Sequence, residues 1–189
     1  MTDTIPTFTR AEIYQNRLKW VEYLQNPERK KATAYLDKMN EERCCLGHAC
    51  HLDPVVKESW SYNDDIEEMS ILLYGIEESD TVATKLTVVS LGLYDNVGTF
   101  RLPKDGSYFE VIQLHEENIP AFLQKFLKEV KSPSVGVNSL AEINDLTSIT
   151  PQEMGQLLKT IITGVGVTPF KPLKDFPVSH QSLIQIVGS

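Results

Sequence analysis

The chain has 189 residues, 41% hydrophobic and 23% charged, with 18 basic against 26 acidic side chains and a formal net charge of −8. That composition suits one globular domain with a sizeable core, and its charge opposes nonspecific binding to nucleic acid or anionic membrane and favours a basic protein partner. No apolar run approaches the roughly 18–20 residues of a membrane span, and the first residues lack the basic start and apolar middle of a signal peptide, so a cytoplasmic setting is expected.

Thr9-Arg10-Ala11-Glu12 has the form of a capping box, and Ile13, Trp20, Val21 and Leu24 follow at helical spacing, which predicts a helix up to Asn26-Pro27. The basic run Arg29-Lys30-Lys31 reads as a solvated face. Asn40 is placed to cap a second helix, Glu41 and Glu42 suit its positive end, and Asp53-Pro54 closes it. Its body is Arg43-Cys44-Cys45-Leu46-Gly47-His48-Ala49-Cys50-His51, which holds all three cysteines and two of the four histidines. In projection this helix is apolar around most of its circumference, the pattern of a buried element, and Gly47 lets a neighbouring backbone come close. Along a helix Cys44 and Cys50 stand about 9 Å apart on different sides, so reduced thiols are expected.

Two acidic clusters, Asp64-Asp65-Ile66-Glu67-Glu68 and Glu77-Glu78-Ser79-Asp80, enclose the apolar run Met69-Ser70-Ile71-Leu72-Leu73-Tyr74. They read as a solvated segment around a core element, or as a face for a basic partner. Residues 81–91 predict a short helix that Gly92 ends. Thr99-Phe100-Arg101-Leu102 and Tyr108-Phe109-Glu110-Val111-Ile112-Gln113 flank a five-residue loop, the pattern of a hairpin. Ile119, Phe122, Leu123, Phe126, Leu127 and Val130 then form an amphipathic helical stripe over 119–130, which must pack on the domain or on a second copy of the chain. Thr150-Pro151-Gln152-Glu153 opens the last helix with another capping box, and Met154, Leu157, Leu158, Ile161 and Ile162 form its buried face. Beyond Gly164 the chain carries Pro169, Pro172 and Pro177, which suggests an extended tail.

The expectation is an α-rich α+β fold: a single domain over residues 1–165 with a small antiparallel hairpin sheet and a buried cysteine-containing helix. Residues 101–138 form an inserted hairpin and helix, and residues 166–189 a tail packed on the domain.

Chemistry is concentrated in the cysteine helix. Cys44, His48 and His51 fall within about 60° of one another in projection, a spacing that can offer a thiolate and two imidazoles to one zinc ion, with a fourth ligand to be supplied elsewhere. A thiol nucleophile at Cys44 or Cys45 with His48 as base is a second reading. Against both stands the apolar setting, which raises thiol pKa values and hides them, so the favoured expectation is a core helix with neither metal nor catalysis. No phosphate-binding glycine loop or hydrolase signature is present.

Several blocks carry a resemblance: Trp20-Val21-Glu22-Tyr23-Leu24, Arg43-Cys44-Cys45-Leu46-Gly47 through Cys50, Leu91-Gly92-Leu93 with Asn96 and Gly98-Thr99-Phe100, and Ser139-Leu140 through Asn144-Asp145. In this order they resemble a family of small proteins of bacteriophages and bacteria with a Cys-Cys-Leu-Gly-x-x-Cys helix and a later leucine-led Asn-Asp turn. The resemblance implies a fold and a genomic setting, and no mechanism. It makes His48 and His51 particular to this chain, and it marks Arg43, Asn96, Asn144 and Asp145 as candidate binding residues whose alternative role is in turns, caps and ion pairs. A shared site would bring Arg43 and Asp145 within ion-pair reach. The function expected is a non-catalytic protein-interaction factor of phage or mobile-element type, with a metal- or thiol-dependent enzyme using Cys44, His48 and His51 as the alternative.

Overall fold

The computed structural model describes residues 6–37, 42–58, 60–63, 68–73, 76–78, 80–93, 95–99, 101–103, 109–111, 124–129 and 139–162. The expected tail over 166–189, most of the 119–130 stripe and much of the insertion lie outside these residues. Helix α1 (Arg10–Gln25) starts as predicted: the Thr9 hydroxyl accepts the Glu12 N–H, and the Glu12 carboxylate accepts the Thr9 N–H at 2.7 Å. Its buried face is Ile13, Arg17, Trp20, Val21 and Leu24. This is a helical stripe with a guanidinium in its middle, and it packs against three later helices.

The strand Lys30–Lys31 (β1) pairs in parallel with Glu42–Arg43 (β2). The sheet content goes beyond the small antiparallel hairpin expected, and the expected start of the cysteine helix at Asn40 is corrected. The sheet beside the cysteine helix is parallel, and the helix itself, α2 (Cys45–Leu52), begins only after Glu42 and Arg43 have been drawn into extended pairing. Its cap is therefore Cys44, in extended conformation, whose sulfur accepts the Gly47 N–H at 3.3 Å. Helix α3 (Pro54–Glu58) follows at once, with Asp53 accepting the Val55 N–H.

The acidic and apolar segment that follows is a three-stranded antiparallel sheet in the order β3 (Trp60–Asn63), β4 (Glu68–Leu73), β5 (Ile76–Glu78), with Ile71 paired to Trp60 on one side and Glu78 on the other. The apolar run is its central strand, and Ile71 is buried. Helix α4 (Lys85–Leu91) begins four residues later than the expected 81–91 helix because the Thr84 hydroxyl accepts the Thr87 N–H and fixes the start there. Gly92 ends it in the left-handed region at φ 58°. Arg17, fully buried, donates to the Leu91 and Gly92 carbonyls at 2.7 and 2.9 Å and closes that helix end with a cation. Burial lowers its guanidinium to about 9, still protonated at neutral pH.

The expected hairpin is present as an antiparallel pair, β6 (Arg101–Pro103) with β7 (Phe109–Val111). Helix α5 (Gln124–Leu127) contributes Phe126, which the chain itself buries. Helix α6 (Leu140–Leu146) is capped by Ser139, and α7 (Pro151–Ile162) by the Thr150–Glu153 box. Helix α7 lies along α1, with Gly155 so close that a Cβ there would meet Val21 O at 3.3 Å and Gln25 Nε2 at 2.4 Å. Met154, Leu157 and Leu158 join Trp20, Leu24, Leu46 and Cys50 in one core. The molecule is thus helix-rich α+β, with α2 inside it.

Candidate functional site

The cysteine helix owes its position to hydrogen bonds at its first turn. The Cys45 N–H donates to Asn144 Oδ1 at 3.1 Å, and the Cys45 carbonyl accepts the Trp20 indole N–H at 3.1 Å. Each thiol then has a packing role. Cys44 caps, Cys45 Sγ lies 3.7 Å from the Leu140 carbonyl, and Cys50 Sγ accepts the Thr87 hydroxyl at 3.2 Å. All three are free and buried. Desolvation drives Cys44 up to about 12 and raises Cys45 and Cys50 as well, so at neutral pH all three are thiols, the form that neither attacks nor ligates.

His48 is fully buried, with Nε2 2.9 Å from the Lys30 carbonyl. Since a carbonyl only accepts, Nε2 carries the proton and Nδ1 does not. Burial, with Arg43, Arg29 and His51 nearby, holds the ring neutral by lowering its pKa to about 4. His51 is half-buried at the end of the helix, its ring 5.8 Å from that of Trp60. Burial, followed by the charges of Arg43, Lys57 and Arg29, lowers it to about 4 too. Cys44, His48 and His51 therefore serve a cap, a strand carbonyl and an aromatic contact. Among the described residues no three His, Cys, Asp or Glu side chains form a metal-holding group.

The basic run is more than the expected solvated face. Lys30 is exposed, but Arg29 stacks its guanidinium 3.7 Å above the Tyr23 ring, and the half-buried Lys31 ammonium donates to the Thr147 carbonyl. Tyr23 in turn lies 5.8 Å from His48. Sequence reasoning missed this cluster because nothing in a run of three cations says which of them turns inward; Tyr23, lying on a predicted helix, was the available hint.

Three of the four candidate binding residues meet around the loop that follows β1. Asn144 Nδ2 donates to the Ala32 carbonyl and to Asp145 Oδ1, both at 2.9 Å, and Asp145 Oδ1 also accepts the Ala34 N–H at 3.1 Å. Arg43 joins through its backbone carbonyl, which accepts the Ala32 N–H. Its side chain pairs with Asp37 at 3.0 Å, both groups largely buried, so the expected Arg43–Asp145 approach is replaced by a nearer carboxylate. Asn96 is elsewhere and exposed, and its carbonyl accepts the Ala83 N–H. What these residues build is a clasp joining α2, α6 and the 32–37 loop. Comparison with family models, curated proteins and solved structures finds no match for the chain.

Proposed function

We propose that the protein is a non-catalytic protein-interaction factor, of the phage or mobile-element type that the Cys-Cys-Leu-Gly-x-x-Cys resemblance suggests. The observation that carries this reading is the use of the cysteine helix. Its thiols and the His48 ring are consumed by packing and held in their uncharged forms, so the densest chemistry in the sequence serves stability.

The contact surface we assign lies beside the clasp. Tyr35 on the loop and Leu146 on α6 are 48% and 53% exposed, and the Asp145–Ala34 hydrogen bond joins the two segments that carry them. Tyrosine and leucine with the exposed Asp145 bonded between their segments, and the exposed Glu129 bonded to Ser148 two residues beyond Leu146, suit a partner with an apolar spot in a basic surround, in keeping with the chain's net charge of −8. The test is reciprocal binding. A protein captured by the full chain, purified in turn, binds it with defined stoichiometry, and Tyr35→Asp with Leu146→Asp weakens that binding about tenfold or more while the variant still unfolds cooperatively. A captured protein that binds the double variant equally well refutes this surface.

A further inference from the structure

The loop that follows β1 contains the one residue other than glycine, among the described residues, with a positive φ: Ala34, at 66°. In that left-handed region a Cβ crowds the neighbouring carbonyl oxygen, so an alanine keeps the conformation only where its surroundings enforce it. They do so from both ends. Ala32 is buried, its N–H donating to the Arg43 carbonyl at 3.0 Å and its carbonyl accepting Asn144 Nδ2 at 2.9 Å. Leu36 is fully buried, and its N–H donates to the Asp80 carbonyl at 2.7 Å. Between these anchors lie three exposed residues, Thr33, Ala34 and Tyr35, and the Ala34 N–H is taken up by Asp145 Oδ1 at 3.1 Å.

We infer that Ala34 and Asp145 are positioning residues for Tyr35, so that the contact surface assigned above, on whose assignment this inference rests, is rigid before a partner arrives. A turn needed only to reverse the chain is met at the lowest steric cost by glycine, which visits positive and negative φ about equally and leaves the next side chain free to swing. Alanine admits a far narrower left-handed region, and with its N–H tied to Asp145 it fixes the direction in which Tyr35 leaves the loop. Asp145 ends a chain of bonds that starts in the core: Asn144 Oδ1 accepts the Cys45 N–H, and Asn144 Nδ2 donates to Asp145 Oδ1 at 2.9 Å. The exposed tyrosine is thereby tied to the buried start of α2. A side chain already held in place loses little freedom on binding, so more of its contact appears as affinity.

Two measurements on the ¹⁵N-labelled full chain test this. The Tyr35 amide of the free chain should have the order parameter of rigid backbone, about 0.85, and Ala34→Gly should lower it. The binding probe is a synthetic peptide with one leucine flanked by lysines, titrated at neutral pH and constant ionic strength and read at the Tyr35 resonances. The wild-type chain should bind it saturably, and Ala34→Gly, which keeps Tyr35, Leu146 and Asp145, should weaken binding about two- to fivefold as the competent fraction of the loop falls. Ala34→Asn, whose side chain tolerates the left-handed region, should recover the affinity. A purely structural role would shift the unfolding midpoint and leave the affinity of the folded chain unchanged. A mobile Tyr35 in the wild-type chain, or equal affinities for wild type and Ala34→Gly, would overturn the positioning role alone. Binding absent from the wild-type chain, or untouched by Tyr35→Asp with Leu146→Asp, would overturn the surface and this inference with it.

Discussion

Asn144 works at both ends of its amide, accepting from Cys45 and donating to Ala32 and Asp145, and it is buried while doing so. Asn144→Ala leaves the Cys45 N–H and the Ala32 carbonyl without their partner, so a loss of about 2–4 kcal/mol is expected in denaturant unfolding. Asn96→Ala, at an exposed side chain, should stay within about 0.5 kcal/mol. Equal losses would show that the clasp is not what holds this region. The sequence singled out both asparagines alike, since a residue type records the capacity for hydrogen bonds and not the partner. His48 makes a pH prediction. Its ordinary value of 6.5 falls to about 4 in the folded chain, so above 6.5 neither state is protonated and the ring has no effect. As pH falls from 6.5 to 4 the unfolded chain takes up a proton that the folded one refuses, and stability drops by roughly 3 kcal/mol, fully lost below 4. His51 adds in the same direction. Denaturation midpoints measured from pH 7 to pH 4 should slope downwards, and His48→Gln should flatten part of that slope; an unchanged slope would refute the assignment.

At the scale of elements, the helices with strong end signals were legible. Both Ser/Thr-led capping boxes formed, and Gly92 stopped α4, because these signals act within four residues and need no distant partner. The start of α2 was misplaced because it is decided by a strand 12 residues away: pairing of Glu42 with Lys30 overrides Asn40 as a cap. The β1–β2 pair, two residues long, has no periodicity to read. The three-stranded sheet was hidden for another reason, its acidic flanks having suggested loops. Gly47, in contrast, behaves as its sequence position implied. A Cβ there would fall 1.7 Å from the Leu36 carbonyl oxygen, a clash with backbone that no side-chain rotation relieves. Gly47→Ala should cost at least the roughly 1–3 kcal/mol typical of overpacking, and Leu46→Ala about 2–5 kcal/mol through its cavity. Thermal melts of the two variants check both values; a wild-type melt for Gly47→Ala would mean that α2 and the loop are not in contact.

For the whole molecule, the cysteine helix is enclosed from four directions: by α1 through Trp20, α4 through Thr87, α6 through Leu140 and Asn144, and β1 through Lys30. No single stretch of sequence could show this, since the neighbours come from 18 to 99 positions away. A thiol-reactive dye should therefore leave all three cysteines of the native chain unmodified and label three on unfolding. Rapid labelling of even one native thiol would reopen the catalytic reading.

The clasp also sets an order of events during synthesis. Cys45 waits for Asn144, 99 residues further on, and Ala32 waits for the same side chain across 112. Until the segment from Ser139 onward has left the ribosome, the first third of the chain holds three thiols with their C-terminal cover missing. Such long-range closure slows folding and lengthens the exposure of unfinished chains to oxidation and to one another. Nascent chains halted before residue 139 should react with thiol reagents, and chains released after α7 should not.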